Sequence, residues 1–399
     1  MSIFNLEAMK HFGETKEWFD KITDRHNTAS MKWDGNKDSK DVIQLWVADM
    51  DFKTAPAVRK AVEERAAQGL YGYVAVPDSY YQSLIRWFND RHGWEISQDM
   101  VIYTSGVVPA ISAIIKALVK PGEKVVIPTP AYNCFFSSVK NQGCIVIESP
   151  LKRIATDNGF TYEMDYDALE KILRQPDVKL LILCNPHNPT GRVWTRTELE
   201  ILRDLCHRNN VRVLSDEIHC ELVHSGSPAY IPYATIDSQA VVCCSPSKAF
   251  NIAGLQIANI VCPSEKIREL VDRAINDNEV CDVNPFGVDA LQAAYDKGGE
   301  WVNALNSYLD ENYKLLKETL SGVPGLQLCD SQSTYLGWVD VSGLGLNSDQ
   351  ATKLLLNEMG VRVSSGSIYH DDSCIRINYA CPRSVLQEGL RRIVKAFNC

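Results

Sequence analysis

The sequence predicts an α/β protein in which a large domain, built around a mostly parallel sheet, is followed by a smaller α+β domain. Between about residues 45 and 261, short β-branched apolar runs alternate with longer segments of helical period, as in parallel strands covered by helices. Beyond about residue 280, long amphipathic stretches alternate with only a few strand-like runs. We therefore expect an N-terminal segment, residues 1–44, that packs with the small domain, a large domain, residues 45–285, and a small domain, residues 286–399.

The elements follow from their apolar patterns. The run Val101-Ile102-Tyr103 predicts a strand, and apolar residues on one helical face as far as Leu118 predict a helix that Pro121-Gly122 ends. Since ligands of open α/β sheets bind at the carboxyl ends of strands, the polar clusters after the strands are the expected functional positions. The other predicted strands are Lys124–Ile127, Leu180–Leu183, Val211–Leu214, Ala240–Cys243, Tyr335–Val339 and Ile375–Ile377, and the predicted small-domain helices are Trp301–Leu320 and Ser348–Met359.

Composition excludes several classes of protein. A hydrophobic fraction of 45% and a charged fraction of 23% are typical of a folded globular chain. The 41 Lys and Arg residues against 50 Asp and Glu give a formal charge of −9, which argues against a nucleic-acid partner. No apolar run is long enough to span a membrane, so we expect no membrane partner.

Cysteine and histidine usage gives two further expectations. The 13 cysteines form no C-x-x-C pair, and neither they nor the 8 histidines have the close spacing of zinc ligands, so we expect no metal site. Reduced thiols and an N-terminal stretch without the apolar core of an export signal together predict a cytoplasmic protein.

The strongest chemical signal is a set of three polar groups that follow three successive strands. Asn185 opens the turn Asn-Pro-His-Asn-Pro-Thr-Gly, Asp216 lies in Ser-Asp-Glu-Ile-His, and Lys248 ends Ser-Pro-Ser-Lys. A lone Asp or Lys in a loop is most often a solvated surface charge, and the turn alone is consistent with an ordinary surface turn. The three together, in this order, predict one site that contains an amide, a carboxylate and an amine.

This order resembles that of the fold-type-I pyridoxal-phosphate (PLP) enzymes of the aminotransferase class I/II superfamily, and the resemblance covers nearly the whole chain. Within that superfamily the chain is most similar to the PatB/MalY-type carbon–sulfur β-lyases, which include cystathionine β-lyase. The segments that carry this similarity are Leu45–Phe52, Gly106–Ala110, Asn185–Pro189, Ser215–His219, Ala253–Gln256 and Asn378–Arg383.

The resemblance implies a role for each of the central residues. Lys248 would form a Schiff base with the cofactor aldehyde and, once freed by substrate, act as a base at Cα. Asp216 would keep the pyridine nitrogen protonated so that the ring accepts electrons. Asn185 would bond the phenolic oxygen of the ring, and Tyr132 would stack on the ring face, unless it is an ordinary core tyrosine.

The cofactor phosphate would lie where a strand becomes a helix. Gly106, Val107 and Val108 provide backbone N–H groups at the helix N-terminus. The resemblance adds the hydroxyls of Ser245 and Ser247, and a tyrosine from a second subunit, for which Tyr73 is the first candidate and Tyr71 the alternative. This sharing implies a homodimer. Many relatives carry an arginine eight residues after the lysine, where this chain has Gln256.

Substrate contacts are also implied. Arg376 matches the arginine that grips the substrate α-carboxylate; the alternatives are a structural salt bridge or the same role for Arg383. Asn185 and Ala48 would also touch the substrate. His219 occupies a position at which it would either tune the bound cofactor or pack in the core.

The resemblance therefore implies an α,β-elimination on cystathionine or cysteine-type S-amino acids, with a thiol, pyruvate and ammonia as products. An aminotransferase is the nearest alternative, because the two reactions share every step until the Cα proton has been removed. A protein with this fold that regulates through protein contacts is a second alternative.

Overall fold

The structure is a computed structural model that describes residues 17–36, 38–39, 41–277, 279 and 282–398. Within these residues the chain forms the following strands: β1 Ile43–Gln44, β2 Val101–Thr104, β3 Lys124–Thr129, β4 Ile145–Pro150, β5 Lys152–Thr156, β6 Gly159–Glu163, β7 Val178–Cys184, β8 Arg212–Asp216, β9 Val241–Cys244, β10 Ala258–Val261, β11 Gln327–Leu328, β12 Leu336–Asp340, β13 Val361–Arg362, β14 Ser364–Ser365 and β15 Cys374–Asn378.

The helices alternate with these strands in the large domain and dominate the rest of the chain. They are α1 Met31–Asp34, α2 Pro56–Gln68, α3 Asp78–His92, α4 Val107–Leu118, α5 Asn133–Asn141, α6 Tyr166–Leu173, α7 Arg196–Arg208, α8 Glu265–Asn276, α9 Pro285–Lys297, α10 Gly299–Leu320, α11 Ser348–Met359 and α12 Arg383–Phe397. None of the described helices is both long and apolar enough to cross a membrane.

The large domain is built around a seven-stranded sheet in the order β2-β10-β9-β8-β7-β3-β4. Only β10 runs antiparallel to its neighbours, so the mostly parallel sheet expected from the sequence is confirmed. The three central strands β7, β8 and β9 are almost continuously buried, as sequence runs of Leu, Ile and Val predict for strands covered on both faces. Helix α4 buries Ile111, Ile114 and Ile115 against this sheet.

The register of the central strands aligns their carboxyl ends. Cys184 of β7 pairs with Asp216 of β8, and Asp216 pairs with Cys243 of β9. The loops that begin after these three residues therefore leave the sheet side by side. This alignment brings together polar groups that are more than sixty positions apart in the sequence.

A second, antiparallel sheet in the order β11-β12-β15-β14 lies within the predicted small domain. The N-terminal segment joins this part of the chain, because β1 pairs in parallel with β13. Helix α9 packs against α2 and α3 of the predicted large domain, and the domain boundary near residue 285 stays a prediction. Residues 1–16 of the predicted N-terminal segment lie outside the described residues.

Candidate active site

A cavity of about 490 Å³ opens at the carboxyl edge of the central sheet, where the second sheet approaches it. Loops after β2, β8 and β9 form its floor, residues 46–48 form one wall, and residues of the second sheet and its neighbouring loop form another. It contains Asp216, Lys248 and Arg376 among its lining side chains. The candidate site is therefore built from segments that are far apart in sequence.

A larger depression of about 620 Å³ lies elsewhere, around Asn158 and Arg153. Its two basic side chains are already paired, Arg153 with Asp340 and Lys317 with Asp330. Because these pairs satisfy the cations, this depression offers less chemistry than the cavity at the strand ends.

Asp216 ends β8 and is buried in the cavity floor. Its Oδ1 accepts a hydrogen bond of 3.1 Å from the backbone N–H of Ile218. Burial raises the pKa of the carboxyl to about 6, although that N–H and the charge of Lys248 oppose the shift. A buried carboxylate with so few donors is suited to face a cationic group of a ligand.

Lys248 lies in the loop after β9, and its Nζ donates a hydrogen bond of 2.7 Å to the carbonyl of Ala48. Burial, followed by the positive charge of Arg376, lowers the pKa of this amine to about 8, while Asp49 and Asp216 oppose the change. About a tenth of the amine is then neutral at pH 7, far more than for a lysine of ordinary pKa, and the neutral amine is the form that acts as a nucleophile or a base. Ala48 is thus placed directly beside the lysine.

An anion cradle forms one end of the cavity. Gly106 precedes the first turn of α4, and it lines the cavity together with Val107 and Val108. The first N–H groups of a helix have no partner within it, and the helix dipole adds a partial positive charge there. Ser247 and Gln256 line the same cavity.

Ser245 does not line the cavity. Its hydroxyl donates to the carbonyl of Ile257 at 2.6 Å and accepts a hydrogen bond from the backbone N–H of Ser247 at 3.0 Å. It therefore shapes the loop that carries Ser247 and Lys248.

Arg376 lies on β15 and lines the cavity from the second sheet. Its Nη1 donates to Oδ1 of Asn188 at 3.1 Å, its Nη2 donates to the carbonyl of Trp46 at 3.1 Å, and its buried Nε has no hydrogen-bond partner among the described residues. The guanidinium lies 4.7 Å from the ring centre of Tyr369. A buried cation without a carboxylate partner is prepared for a carboxylate of a ligand.

Arg383, the alternative to Arg376, lies outside the cavity. Its Nη1 is 3.8 Å from Glu311, and its guanidinium lies 5.1 Å from the ring centre of Tyr308. The structure thus brings only one of the two arginines to the cavity.

The turn after β7 contributes a different asparagine to the cavity from the one expected. Asn185 is fully buried but does not line the cavity, since its Nδ2 donates to the carbonyl of Ile231 at 2.9 Å and to Glu217 at 3.3 Å. Asn188, three residues later, lines the cavity and holds Arg376. Only Asn185 was predicted from the sequence, because nothing in the local pattern shows which of the two Asn-Pro steps places its amide in the cavity.

Tyr132 and His219 both line the cavity. The Tyr132 ring packs edge to face on Phe135 with a centroid distance of 5.7 Å, and burial raises the pKa of its hydroxyl. Burial, followed by the charges of Lys248 and Arg376, lowers the pKa of His219 to about 3, so its ring is neutral at pH 7. Its Nδ1 is buried and has no partner among the described residues.

The two tyrosines expected to reach a second subunit lie on the surface of this chain. Tyr73 is 97% exposed, and Tyr71 is 59% exposed with its hydroxyl donating to the carbonyl of Ala66 at 2.7 Å. Neither lines the cavity of its own chain. Their role across a dimer interface stays a prediction.

The sequence matches the aminotransferase class I and II family over residues 40–393. The chain belongs to this family. Cystathionine β-lyase PatB of Bacillus subtilis (strain 168) is 35% identical over 390 residues, which cover 95% of this chain and 100% of PatB. The expected similarity to the PatB/MalY type is therefore confirmed.

Solved structures agree with this membership in the aminotransferase class I and II family. The PLP-bound C-S lyase of Staphylococcus hominis is 34% identical with a TM-score of 0.88, over 95% of this chain and 97% of that chain. A PLP-bound structure from Clostridium difficile 630, named a candidate aminotransferase, is 40% identical with a TM-score of 0.91, over 95% of this chain and 99% of that chain. The predicted fold is confirmed by both.

Several cavity residues of this family member escaped the sequence analysis. Met31, Trp46 and Ile368 line the cavity, and the sequence predicted a contact role for none of them, although Trp46 lies within the segment Leu45–Phe52. Met31 and Ile368 are exposed apolar residues, and only the tertiary structure brings them to Arg376. No periodicity or spacing in the sequence identifies such residues.

Proposed function

We propose that this chain is a PLP-dependent carbon–sulfur β-lyase that acts on cystathionine or cysteine-type S-amino acids. The single observation that carries the proposal is one cavity lined by a lysine amine of lowered pKa, a buried carboxylate, and a buried arginine that has no carboxylate partner among the described residues. The names of PatB and of the Staphylococcus hominis C-S lyase support the reaction class.

The donor set fits PLP. The cradle of Gly106, Val107 and Val108 would hold the phosphate, with Ser247 as a further donor. Asp216 would face the pyridine nitrogen, and its need for a cationic partner, seen in its raised pKa, supports this role. Side chains of Tyr132 and Asn188 would contact the ring and its phenolic oxygen, with Asn188 taking the role first expected of Asn185.

Each residue then has a chemical task. Arg376 binds the substrate α-carboxylate through its guanidinium, and Ala48 orients the Lys248 amine through its carbonyl. When bound, PLP accepts the electron pair that Cα keeps after its proton is removed. Lys248 Nζ takes that proton, and the bond between Cβ and sulfur then breaks. With one water consumed, the products are a thiol, pyruvate and ammonia.

The aminotransferase alternative keeps the same residues but returns the proton to the cofactor. The name of the Clostridium difficile 630 structure favours it. A 2-oxo acid acceptor is then required, which an eliminating enzyme does not need. A regulator without catalysis would have no need to bury Lys248 and Arg376 in one cavity, at a cost in stability.

We also propose a homodimer with shared active sites, because Tyr73 leaves its whole side chain exposed on this chain while the similarity assigns it to a neighbouring phosphate. A cytoplasmic location is proposed as well. The eleven cysteines among the described residues are all free, which suits a reducing compartment.

An absorbance spectrum of the purified protein, followed by cystathionine in a coupled pyruvate measurement, tests the function. A visible cofactor band and pyruvate formed without a 2-oxo acid are expected. The Lys248→Ala variant should lose both, whereas Lys171→Ala, at an exposed helix position outside the cavity, is the control. Amino transfer that depends on an added 2-oxo acid, without pyruvate from cystathionine or another S-amino acid, would overturn the lyase assignment.

A further inference from the structure

We propose that the preferred substrate carries an uncharged, apolar substituent on sulfur. The inference rests on the proposed function and names the substrate class of the same site. It comes from an apolar rim, formed by Met31, Trp46 and Ile368, at the end of the cavity that contains Arg376.

Contacts with Arg376 locate the rim. The carbonyl of Trp46 accepts a hydrogen bond from Arg376, and the indole Nε1 of Trp46 donates to the carbonyl of Lys32, the neighbour of Met31. On the other side, Ile368 precedes Tyr369, whose ring lies against the Arg376 guanidinium. If Arg376 holds the α-carboxylate, we infer that the rim is within reach of the substituent on sulfur.

Buried ion pairs hold the Met31 part of the rim in place. Lys32 is buried, and its Nζ donates to Oδ2 of Asp51 at 2.8 Å and to the carbonyl of Asp49 at 3.0 Å. Arg25 joins the same cluster through a paired contact of 2.9 Å with each carboxylate oxygen of Asp49. These ion pairs fix Met31 against the wall that carries Trp46.

Two of the rim side chains are much more exposed than large apolar groups usually are. Met31 is 67% exposed and Ile368 is 47% exposed, although both line a cavity. An apolar substituent that covered them would remove this surface from water. At the usual gain per buried methylene, each added CH₂ raises affinity roughly fourfold until the rim is covered.

The charges of the cavity point the same way. Among the described residues that line it, the acidic and basic side chains other than neutral His219 are Asp216, Lys248 and Arg376, and the proposed function uses all three. The nearby cations and carboxylates of the rim cluster, such as Lys32 and Asp51, already pair with each other. No charged side chain of this lining is left for a second ammonium and carboxylate, which cystathionine carries at its far end. Placing such charges against an apolar rim without partners is unfavourable.

Steady-state kinetics of the holoenzyme with a homologous series test the proposal. The series is S-methyl-, S-ethyl-, S-propyl- and S-butylcysteine, which release simple alkyl thiols of similar acidity. Cystathionine, which releases a thiol that also carries an ammonium and a carboxylate, is compared with this series. We expect kcat/KM for pyruvate formation to rise roughly threefold to fourfold per methylene. Cystathionine should fall at least tenfold below S-butylcysteine. A flat series, or cystathionine as the best substrate, would overturn the proposal.

Substitutions in the rim should change the slope of this series. Met31→Ser and Ile368→Ser should each lower the ratio of kcat/KM for S-butylcysteine to that for S-methylcysteine roughly fivefold or more. Ile201→Ser, an exposed isoleucine on α7 away from the cavity, is the matched control and should leave the ratio unchanged. Unchanged ratios in the rim variants would contradict the assignment of the rim.

A binding measurement separates this inference from the proposed function. Straight-chain 2-aminoalkanoic acids have no leaving sulfur, and their binding can be followed by tryptophan fluorescence, to which Trp46 contributes. Affinity should rise with chain length in the native chain and rise less steeply in the rim variants. If no S-amino acid yields pyruvate, the proposed function fails. If pyruvate forms but neither affinity nor kcat/KM depends on chain length, only the rim inference fails.

Discussion

Replacing Arg376 by Ala should reduce kcat/KM for the S-amino acid substrate by about a hundredfold to a thousandfold. The guanidinium is buried, makes two hydrogen bonds at 3.1 Å to uncharged oxygens, and retains a free Nε. A substrate carboxylate would add charge-assisted hydrogen bonds, of which each contributes about 1.5–3 kcal/mol. Two of them amount to about 3–6 kcal/mol. Because each 1.4 kcal/mol corresponds to a factor of ten, the hundredfold to thousandfold loss corresponds to the lower part of this range, about 3–4 kcal/mol.

Arg383→Ala is the matched control for this prediction. Arg383 is also an arginine close to β15 in sequence, but its guanidinium faces Glu311 and the Tyr308 ring outside the cavity. Its removal should change kcat/KM by less than about threefold. The two variants would be compared by pyruvate formation over a range of substrate concentrations.

Two results would refute the assignment of Arg376. One is a loss in Arg383→Ala that equals the loss in Arg376→Ala. The other is a fall in activity of Arg376→Ala that comes with lost cofactor, since that would indicate a collapsed cavity. Arg376→Lys serves as the check, because it keeps the charge but not the planar pair of donors and should recover only part of the lost kcat/KM.

Three further outcomes are expected. In cofactor-free protein at pH 7.5, Asp216→Asn should raise the free energy of unfolding by up to about 3 kcal/mol, measured by thermal or urea unfolding. The reason is that the pKa of the native carboxyl is raised to about 6, so its favourable contribution is lost as pH rises from 4 to 6. Below about pH 4 the carboxyl is protonated in both states, and the variant should lose its advantage. Asp51→Asn should cost about 3 kcal/mol in urea unfolding because it strips the buried Lys32 amine of its partner, whereas Glu63→Gln in an exposed ion pair should cost under about 0.5 kcal/mol. Gln256→Arg should tighten PLP about tenfold in an equilibrium titration by adding a cation to the cavity, and unchanged affinity would place Gln256 away from the phosphate.

Strands and helices of the large domain were predictable because their sequence pattern is strong. The runs at Val101–Tyr103, Leu180–Leu183 and Val211–Leu214 are mostly apolar, and each falls largely within a strand of the central sheet. Helix α11 begins and ends where the sequence predicted, since Asn347 and Gln350 form a capping box and Gly360 ends it in a left-handed conformation. Local interactions decide such boundaries, so the sequence reveals them.

Asn188 and the apolar rim were not predictable for the opposite reason. Asn185 and Asn188 both precede a proline. Asn185 is held away from the cavity by hydrogen bonds to Glu217 and to the carbonyl of Ile231, which belong to other segments of the chain. Likewise, Met31 becomes a cavity residue only through the Lys32 and Asp51 pair across the neighbouring wall. Contacts between segments that are distant in sequence leave no periodic or spacing signal.

The pKa shifts of the two central groups indicate what the cavity is built to receive. The Asp216 pKa is raised and the Lys248 pKa is lowered, so burial opposes the charge of both groups more strongly than their mutual attraction favours it. Arg376 adds a third buried charge, which has no carboxylate partner among the residues that the structure describes. A chain selected for stability alone would replace these groups by apolar ones, because buried charges rarely stabilise a fold. In the proposed function, a cationic ring nitrogen is the partner of Asp216 and an aldehyde is the partner of Lys248. The substrate carboxylate is the partner of Arg376, and the cradle holds the anionic phosphate. The destabilising features of the ligand-free cavity and its proposed chemistry therefore have the same origin.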